Sequence, residues 1–375
     1  MEDKDYRISL VQFFALGGMI GNALFVGMGN IILIQIVKEN TWLTAWLGLI
    51  VGLIPIAILI KIMNYEPSLN LIDKIKKLFH PVLAHIINFL IFIMITFVFI
   101  ITVWNVSQFG VTKYLTETPL AFIALLFMIP IVYSSIKGIE TISRTTQLLF
   151  FMSLLIHVLI TTPLLQFVEL SNIKPILADG LPPIIDGIYK FITYCFIPFI
   201  ALLIIPKDRI KNKKKASRAL ILGYVFASAI MAHVFFMNMS TVGINVASMY
   251  RYPEYYVIKK VYISNAFDNI ENFLSVHWIF NLFAAQMVTM YYSKSYILNI
   301  FKVKKEKIMT LIPIIIGIIV VIITRFLFQD STSGNNFMLY YYPYLIGAPL
   351  LGLIFILSLR IIFKNHKQKL KKRHF

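Results

Sequence analysis

The sequence is poor in charge and nearly free of cysteine. Charged residues make up 14% of its 375 residues, whereas apolar residues make up 59% and the mean hydropathy is +0.80. A soluble domain usually has about a quarter of its residues charged, so this composition excludes an ordinary water-soluble protein. The single cysteine, Cys195, excludes a disulfide within the chain. We therefore expect a membrane protein with many spans.

Catalytic signatures are also missing. The chain has no H-E-x-x-H, G-x-S-x-G or P-loop motif, and no two carboxylates lie together deep in an apolar stretch. His85, His157, His233 and His277 fall in or beside apolar stretches, but their spacing indicates no shared metal site. We predict no enzyme activity, no cofactor and no metal. An intramembrane enzyme is the least favoured alternative, and convergence of the last three histidines in the fold would revive it.

Ten apolar stretches are each long enough for a transmembrane helix of about 20 residues. They cover residues 8–36, 41–61, 83–109, 119–136, 145–168, 183–205, 217–240, 272–296, 308–328 and 337–363. We predict an all-α domain of ten transmembrane helices over 1–363, followed by a basic cytoplasmic tail, 364–375. The first residues, MEDKDYR, lack the basic region and short apolar core of a cleavable signal, so we expect the first span to remain as an anchor.

The placement of basic residues predicts the orientation. The net charge is +18, and 27 of the 35 Lys and Arg residues lie in the termini and loops on one side, against six on the other. Basic loops face the cytoplasm, which places both termini inside. This rule accounts for the positive charge without nucleic acid, which we do not expect as a partner. The runs KDRIKNKKK and HKQKLKKRHF are expected to contact anionic lipid.

The first span contains GGMIGNALFVGMGN, residues 17–30, with five glycines and two asparagines. Each glycine inside a helix costs about 1 kcal/mol relative to alanine. Close helix packing is one explanation, and we adopt it for Gly48 and Gly52 of the second span. The first span has more glycines than one packing face needs. We predict an interruption at Ile20–Ala23, which a membrane tolerates only against protein or a water-filled cavity.

The sixth span carries Tyr194, Cys195 and Phe196 just before Pro198. A proline inside a helix removes one backbone hydrogen bond and clashes one turn back, here at Tyr194. An ordinary proline kink is the alternative to a functional break. Spans one and six begin two halves of five, and an odd number of spans inverts the second half. Interrupted helices at corresponding positions of inverted halves indicate a transporter-type binding site near the middle of the bilayer.

Four stretches resemble one known family. They are SLVQFFALGGMIGNALF at 9–25, Trp42, GIETISR at 138–144, and YPEYYVIKKVYISNAFDNIENFLSVHW at 252–278. The chain resembles the B subunit of bacterial spore germinant receptors, the spore permease family of the amino acid–polyamine–organocation superfamily. It departs from the family at Asn269, where an arginine is expected. It departs again at Tyr194-Cys195, where many relatives have Gly-Glu.

The resemblance implies a five-plus-five inverted repeat of the leucine-transporter type. It also implies a pocket for a small germinant, commonly an amino acid, between helices one, three, six and eight. The implied partners are an A subunit and a lipoprotein C subunit in the spore inner membrane. On this basis we expect a germinant-sensing subunit. A secondary amino-acid transporter of the same fold is the alternative, weakened by the lack of Asp or Glu at either break.

The expected ligand contacts follow from the two interruptions. Backbone N–H groups of the first break are expected to bind a ligand carboxylate, and carbonyls of the sixth span its ammonium. Trp104 and Asn105 either line the access path or act as an interface anchor and a packed polar group. The predicted ligand-binding residues are Gly18, Ile20, Gly21, Asn22, Ala23, Trp104, Asn105, Tyr194, Cys195 and Phe196.

The sequence leaves open the charge of the ligand and the role of one loop. No charged side chain marks the expected pocket, so the sequence does not predict the charge of the ligand. The outer loop 241–271 is rich in tyrosine, including Tyr250, Tyr252 and Tyr262. It suits an interfacial belt, a lid over the pocket, or a docking face for a partner.

Overall fold

The chain is almost entirely helical in a computed structural model that describes residues 7–260 and 269–373, with side chains to 366. Tyr262 of the outer loop lies outside the described residues, and so do the side chains from residue 367 of the basic tail, for which we predict contacts with lipid. The α-helices are α1 (Leu10–Ile20), α2 (Asn30–Val37), α3 (Thr41–Asn64), α4 (Leu71–Leu78), α5 (Pro81–Lys113), α6 (Leu120–Lys137), α7 (Ile139–Thr161), α8 (Pro182–Phe196), α9 (Lys213–Ala247), α10 (Pro253–Ile258), α11 (Glu271–Ile300), α12 (Glu306–Phe326), α13 (Ser331–Asn336) and α14 (Ala348–Arg373).

Nine helical segments in the described part of the chain are long and apolar enough to cross a membrane. The first, Leu10–Asn64, has 55 residues and contains two spans, because Lys38 with φ of 53° ends α2 and a turn leads into α3. The prediction of ten spans in an all-α membrane fold is therefore confirmed. The last helix, α14, continues to Arg373, so residues 364–373 of the predicted tail extend the tenth span as helix.

The first span is interrupted, as predicted. Its helix α1 starts at a capping box, in which the Ser9 hydroxyl accepts from the backbone of Gln12 and the Gln12 side chain accepts from the backbone of Ser9. The α-helix ends at Ile20. A turn and a π-helical segment, Phe25–Gly29, follow before α2 begins. Gly27 has φ of 71°, a left-handed conformation that favours glycine.

The expectation of free backbone N–H groups at Ile20–Ala23 is wrong. The N–H of Gly21 bonds to the carbonyl of Gly17 at 3.4 Å, that of Asn22 to Met19 at 3.2 Å, and that of Ala23 to Ile20 at 3.3 Å. The chain tightens into three-residue turns here instead of unwinding, so the N–H groups keep partners within the chain. The strongest departure from helical geometry lies at Val26 and Gly27.

The sixth span is also interrupted, but by a change of winding. The helix α8 ends at Phe196, and a 3₁₀ helix, Ile197–Ile204, continues it. Pro198 is the second residue of that segment, where its missing N–H is tolerated because the first N–H groups of a helix have no partner within it. The two interrupted helices begin the two halves of the fold, as the inverted repeat requires.

Glycines bring the spans close together. A Cβ at Gly48 would lie 2.5 Å from the ring of Phe191, and one at Gly52 only 1.8 Å from the hydroxyl of Tyr224. The prediction that these two glycines serve helix packing is confirmed. Gly21 resembles them, since a Cβ there would lie 2.7 Å from the side chain of Ala227 on α9. In this conformation Gly21 therefore allows α1 and α9 to approach.

The described part of the outer loop folds inward. Its short helix α10 packs against α9 and α11, and Tyr252, Glu254 and Tyr255 are buried. The Lys260 ammonium donates to the carbonyl of Thr241 at 3.1 Å, which ties the loop back to the end of α9. Of the three roles left open for this loop, its position favours a lid over the bundle.

Candidate functional site

A buried cavity lies beside the interruption of the first span. Its volume is about 30 Å³, which is room for about two water molecules. Its walls come from the first span, α7, α9, α10 and α11. The polar residues that line it include Asn22, Asn30, His157, Asn238, Glu254, His277 and Asn281. The apolar ones include Val26, Met231, Met237, Leu274 and Trp278.

Three side-chain oxygens at this cavity have no hydrogen-bond partner among the described residues. They are Oδ1 of Asn22, Oδ1 of Asn30 and Oε2 of Glu254. The nitrogen of each amide is committed elsewhere, since Asn22 Nδ2 donates to the Gly18 carbonyl at 3.3 Å and Asn30 Nδ2 donates to Glu254 Oε1 at 2.7 Å. These bonds fix which end of each amide is oxygen. The cavity is thus rich in unused acceptors.

Glu254 brings a carboxylate into the middle of the fold. Its side chain is 4% exposed, and burial raises the pKa of Glu254 to about 7, although the hydrogen bond from Asn30 acts to lower it. The expectation that no charged side chain marks the pocket is therefore wrong. Glu254 belongs to the outer loop in sequence, and only the inward fold of α10 carries it to the first span.

Three histidines converge next to the cavity. His157 Nε2 lies 3.1 Å from Nδ1 of His233, and the rings of His157 and His277 are 5.5 Å apart. His277 Nδ1 is also 2.8 Å from the hydroxyl of Ser153. Within the described ranges, no three His, Cys, Asp or Glu residues have the arrangement of a metal site. The three histidines form a polar cluster between α7, α9 and α11, so the convergence that revives an intramembrane enzyme as an alternative is present.

Two of the predicted residues of the first span lie at this cavity or beside it. Asn22 lines it, and Gly18 lines a smaller adjoining cavity together with Asn22 and His157. Ile20 and Ala23 are buried in the core and line neither cavity.

The third span supports the break from the other side. Asn105 Nδ2 donates to the carbonyl of Val26 at 2.6 Å, a bond that stabilises the irregular segment around Gly27. Trp104 is buried, and its ring contacts Gly334 and lies edge-on to Phe328. Asn105 also lines a small cavity with Gly27 and Tyr252, so both of its alternatives stay open, whereas Trp104 is buried and is not an interface anchor.

Tyr194, Cys195 and Phe196 do not line this cavity, within the part of the chain described. The Tyr194 hydroxyl donates to the carbonyl of Met338 at 2.8 Å, and the Cys195 sulfur lies 3.3 Å from the hydroxyl of Ser228. Phe196 is fully buried in the core. In this conformation the sixth span packs tightly against the first, so the cavity lies on the side of α7, α9 and α11.

Sequence reasoning missed Glu254, His157, His277 and Asn281 as members of one site. The available signal for Glu254 was an acidic residue inside the Tyr-Pro-Glu motif of the outer loop, in a chain with only 17 acidic residues. Its distance from the first span, 224 positions, concealed the relationship.

Comparison with known proteins places these features in a family. A family model described as spore germination protein, of the spore permease type, matches residues 7–330. Spore germination protein KB of Bacillus subtilis (strain 168) is 20% identical over 373 residues, covering 97% of both chains. Spore germination protein YndE of the same organism is 24% identical over 286 residues, covering 75% of this chain and 77% of that protein.

Two solved structures share the fold. One is Mhp1, a nucleobase-cation-symport-1 family transporter in a closed conformation with bromovinylhydantoin bound. It has a TM-score of 0.67 and 16% identity, and the match covers 93% of this chain and 78% of that one. The other is a Na⁺-coupled sialic acid symporter in a substrate-bound outward-open state, with a TM-score of 0.60 and 14% identity over 92% of this chain and 78% of that one. These likenesses establish the fold.

Proposed function

Because the chain belongs to the spore germination protein family, we propose that it is the ligand-sensing membrane subunit of a spore germinant receptor. Its ligand is a small molecule of the amino-acid type. The observation that carries this proposal is the buried cavity at the interruption of the first span, with three unused acceptor oxygens. Buried polar atoms without partners are costly, so a site that keeps several of them is suited to binding.

The size of the cavity suits a sensor. Room for about two water molecules is too little for most amino acids, so the ligand binds a conformation in which the surrounding helices have moved apart. A ligand that prefers one conformation shifts the population toward it. Moving a population from 1:99 to 99:1 takes about 5.5 kcal/mol of differential affinity. Ligand occupancy is thereby converted into a conformational signal.

The proposal includes partners and a location. The signal passes to an A subunit and a lipoprotein C subunit in the spore inner membrane, with both termini of this chain in the cytoplasm. The cytoplasmic basic loops contact anionic lipid. The 27-to-6 distribution of basic residues and the family support this assignment.

Binding by the purified protein tests the proposal. The full chain is placed in lipid nanodiscs, and its thermal unfolding is measured with each of the twenty standard amino acids. A ligand that binds the folded state raises the melting temperature by mass action. We expect one or a few amino acids to do so with saturation. If none of the twenty raises the melting temperature, the ligand-sensing function is wrong.

A secondary transporter is the second candidate, and Glu254 favours it. A titratable carboxylate at an interrupted helix is the kind of group that couples transport to protons, and the two structural neighbours are described as a transporter and a symporter. Liposomes that contain only this chain distinguish the two functions. A sensor binds the amino acid without concentrating it. Accumulation driven by a proton or sodium gradient would establish the transporter.

A further inference from the structure

The unused acceptors at the cavity specify a chemical class of ligand. We propose that the carboxylate of Glu254, with the amide oxygens of Asn22 and Asn30, binds the ammonium group of the ligand and selects ligands with a free, positively charged amine. The inference rests on the proposed function, because it names the chemistry of that same site. It assigns the leading role to the outer loop, where α10 carries Glu254.

The number of acceptors matches the number of donors. An ammonium group has three N–H donors and no acceptor, and the cavity presents three oxygens that lack a partner in the described part of the chain. Neither asparagine can turn its amide to supply its own donor without breaking the bond from Nδ2 to Gly18 or to Glu254. An ammonium group bound in the cavity can supply these donors.

A neutral Glu254 does not satisfy the site by itself. Protonation would convert Oε2 into a donor. Its single hydrogen could bond to the amide oxygen of Asn22 or of Asn30, and the other amide oxygen would still lack a donor. Transferring a carboxylate from water into a buried site is unfavourable unless the charge is paired. The described residues that line the cavity include no Lys or Arg. The positive charge that pairs with Glu254 is therefore the one the ligand brings.

The opposite end of the ligand has a donor available. Asn238 on α9 lines the same cavity, and its Nδ2 has no partner among the residues described. This amide can donate to a carboxylate or carbonyl oxygen of the ligand. Three acceptors and one donor around one cavity match the polar groups of a molecule with an ammonium group next to an oxygen acceptor, which enters once the surrounding helices have moved apart.

Binding through Glu254 also couples the ligand to the outer loop. The carboxylate lies on α10, and Asn30 begins the helix that follows the interruption. A ligand bound by both residues holds the outer loop against the first span. The ammonium is thus recognised by the loop that covers the cavity. A ligand with an amine therefore keeps the loop in place, and a ligand without one does not.

The test compares ligands and variants. The amino acid that binds most tightly in nanodiscs is measured against its N-acetyl derivative, its decarboxylated amine and sodium chloride, by isothermal titration calorimetry. We expect the N-acetyl derivative to bind at least a hundredfold more weakly and the amine to retain measurable binding. E254Q should weaken binding of the amino acid at least tenfold. The matched control is E271Q, which changes another buried glutamate that does not line the cavity, and should leave the affinity within twofold.

Each outcome decides between the two proposals. Equal affinity for the N-acetyl derivative, or unchanged binding in E254Q, would overturn the ammonium assignment while leaving the sensing function intact. Saturable binding of sodium that competes with the amino acid would show that the acceptors hold a metal ion, which also overturns it. If E254Q does not fold, the ligand series on the wild-type protein still decides. If no amino acid binds the wild-type protein, both proposals fail.

Discussion

The side-chain amide of Asn30 donates a 2.7 Å hydrogen bond to the carboxylate of Glu254, 224 positions further along the chain. Both residues are buried, and the bond joins the start of α2 to the short helix α10 of the outer loop. The interrupted first span and the loop that covers it therefore behave as one unit. A change at either residue is expected to reach the cavity that lies between them.

Ligand affinity should depend on pH through Glu254. With a pKa of about 7, Glu254 is ionised in about a tenth of molecules at pH 6 and about nine-tenths at pH 8. Only the ionised form pairs its negative charge with an ammonium group, and apparent affinity scales with the competent fraction. We expect calorimetry to show about tenfold weaker binding at pH 6 than at pH 8.

Two variants check the source of that pH dependence. The other titratable side chains that line the cavity with Glu254 are His157 on α7 and His277 on α11, and the charge of Glu254 also acts on Tyr252 of the outer loop. Burial raises the pKa of Tyr252 to about 12, so it does not titrate in this range. E254Q should abolish the pH dependence, whereas H157Q should retain it. If the pH dependence of the affinity disappears in H157Q, the histidine cluster is its source.

Gly27→Ala should impair ligand response. Gly27 has φ of 71°, which costs a residue with a Cβ roughly 1–2 kcal/mol. The new Cβ would also lie 3.0 Å from the ring of Tyr252 and 3.1 Å from Asn105. We expect a lower melting temperature and weaker amino-acid binding. Gly352→Ala is the control, because no atom of the described residues lies within 4 Å of a Cβ there. Equal effects of the two changes would contradict the prediction.

Gly21→Leu should act through folding. Its side chain would collide with Ala227 and Phe199, as that of Gly48→Leu would with Phe191. Overpacking of this kind usually costs about 1–3 kcal/mol. Both variants are expected to lower the amount of protein recovered from the membrane. If Gly21→Leu is present at normal abundance but does not bind ligand, Gly21 belongs to the ligand site.

Asn105→Ala should destabilise the interruption of the first span. It removes the donor that lies 2.6 Å from the carbonyl of Val26, and a buried acceptor left without a partner costs about 1–3 kcal/mol. Ser107→Ala is the control, since the Ser107 hydroxyl donates to the Val103 carbonyl one turn back in the same helix. In nanodiscs, Asn105→Ala should have a lower melting temperature than Ser107→Ala. A similar melting temperature for both would show that Asn105 does not hold the break.

The orientation can be measured with single cysteines. In a Cys195→Ser background, Lys174→Cys should react with an impermeant maleimide from outside and Lys213→Cys only from inside. The reason is that 27 basic residues lie on the Lys213 side and six on the Lys174 side. The reverse labelling pattern would discard the predicted orientation and, with it, cytoplasmic termini.

The sequence by itself determined the membrane class, the ten spans and the two interrupted helices. These properties depend on short windows of residues: about 20 apolar residues make a span, and the glycines at 17–30 or Pro198 weaken the helix that contains them. The packing glycines Gly48 and Gly52 were identified in the same way. Each signal is local, so it can be interpreted without knowing which helices are neighbours.

Only the tertiary structure decided which residues form the site. Asn22 and Asn30 are close to the interruption in sequence, but Glu254, His157 and His277 come from three other elements. Tyr194 and Cys195, which sequence reasoning placed in the pocket, bond instead to Met338 and Ser228. A buried carboxylate far along the chain has no local signature, because its cost and its partner exist only once α10 folds back against the first span.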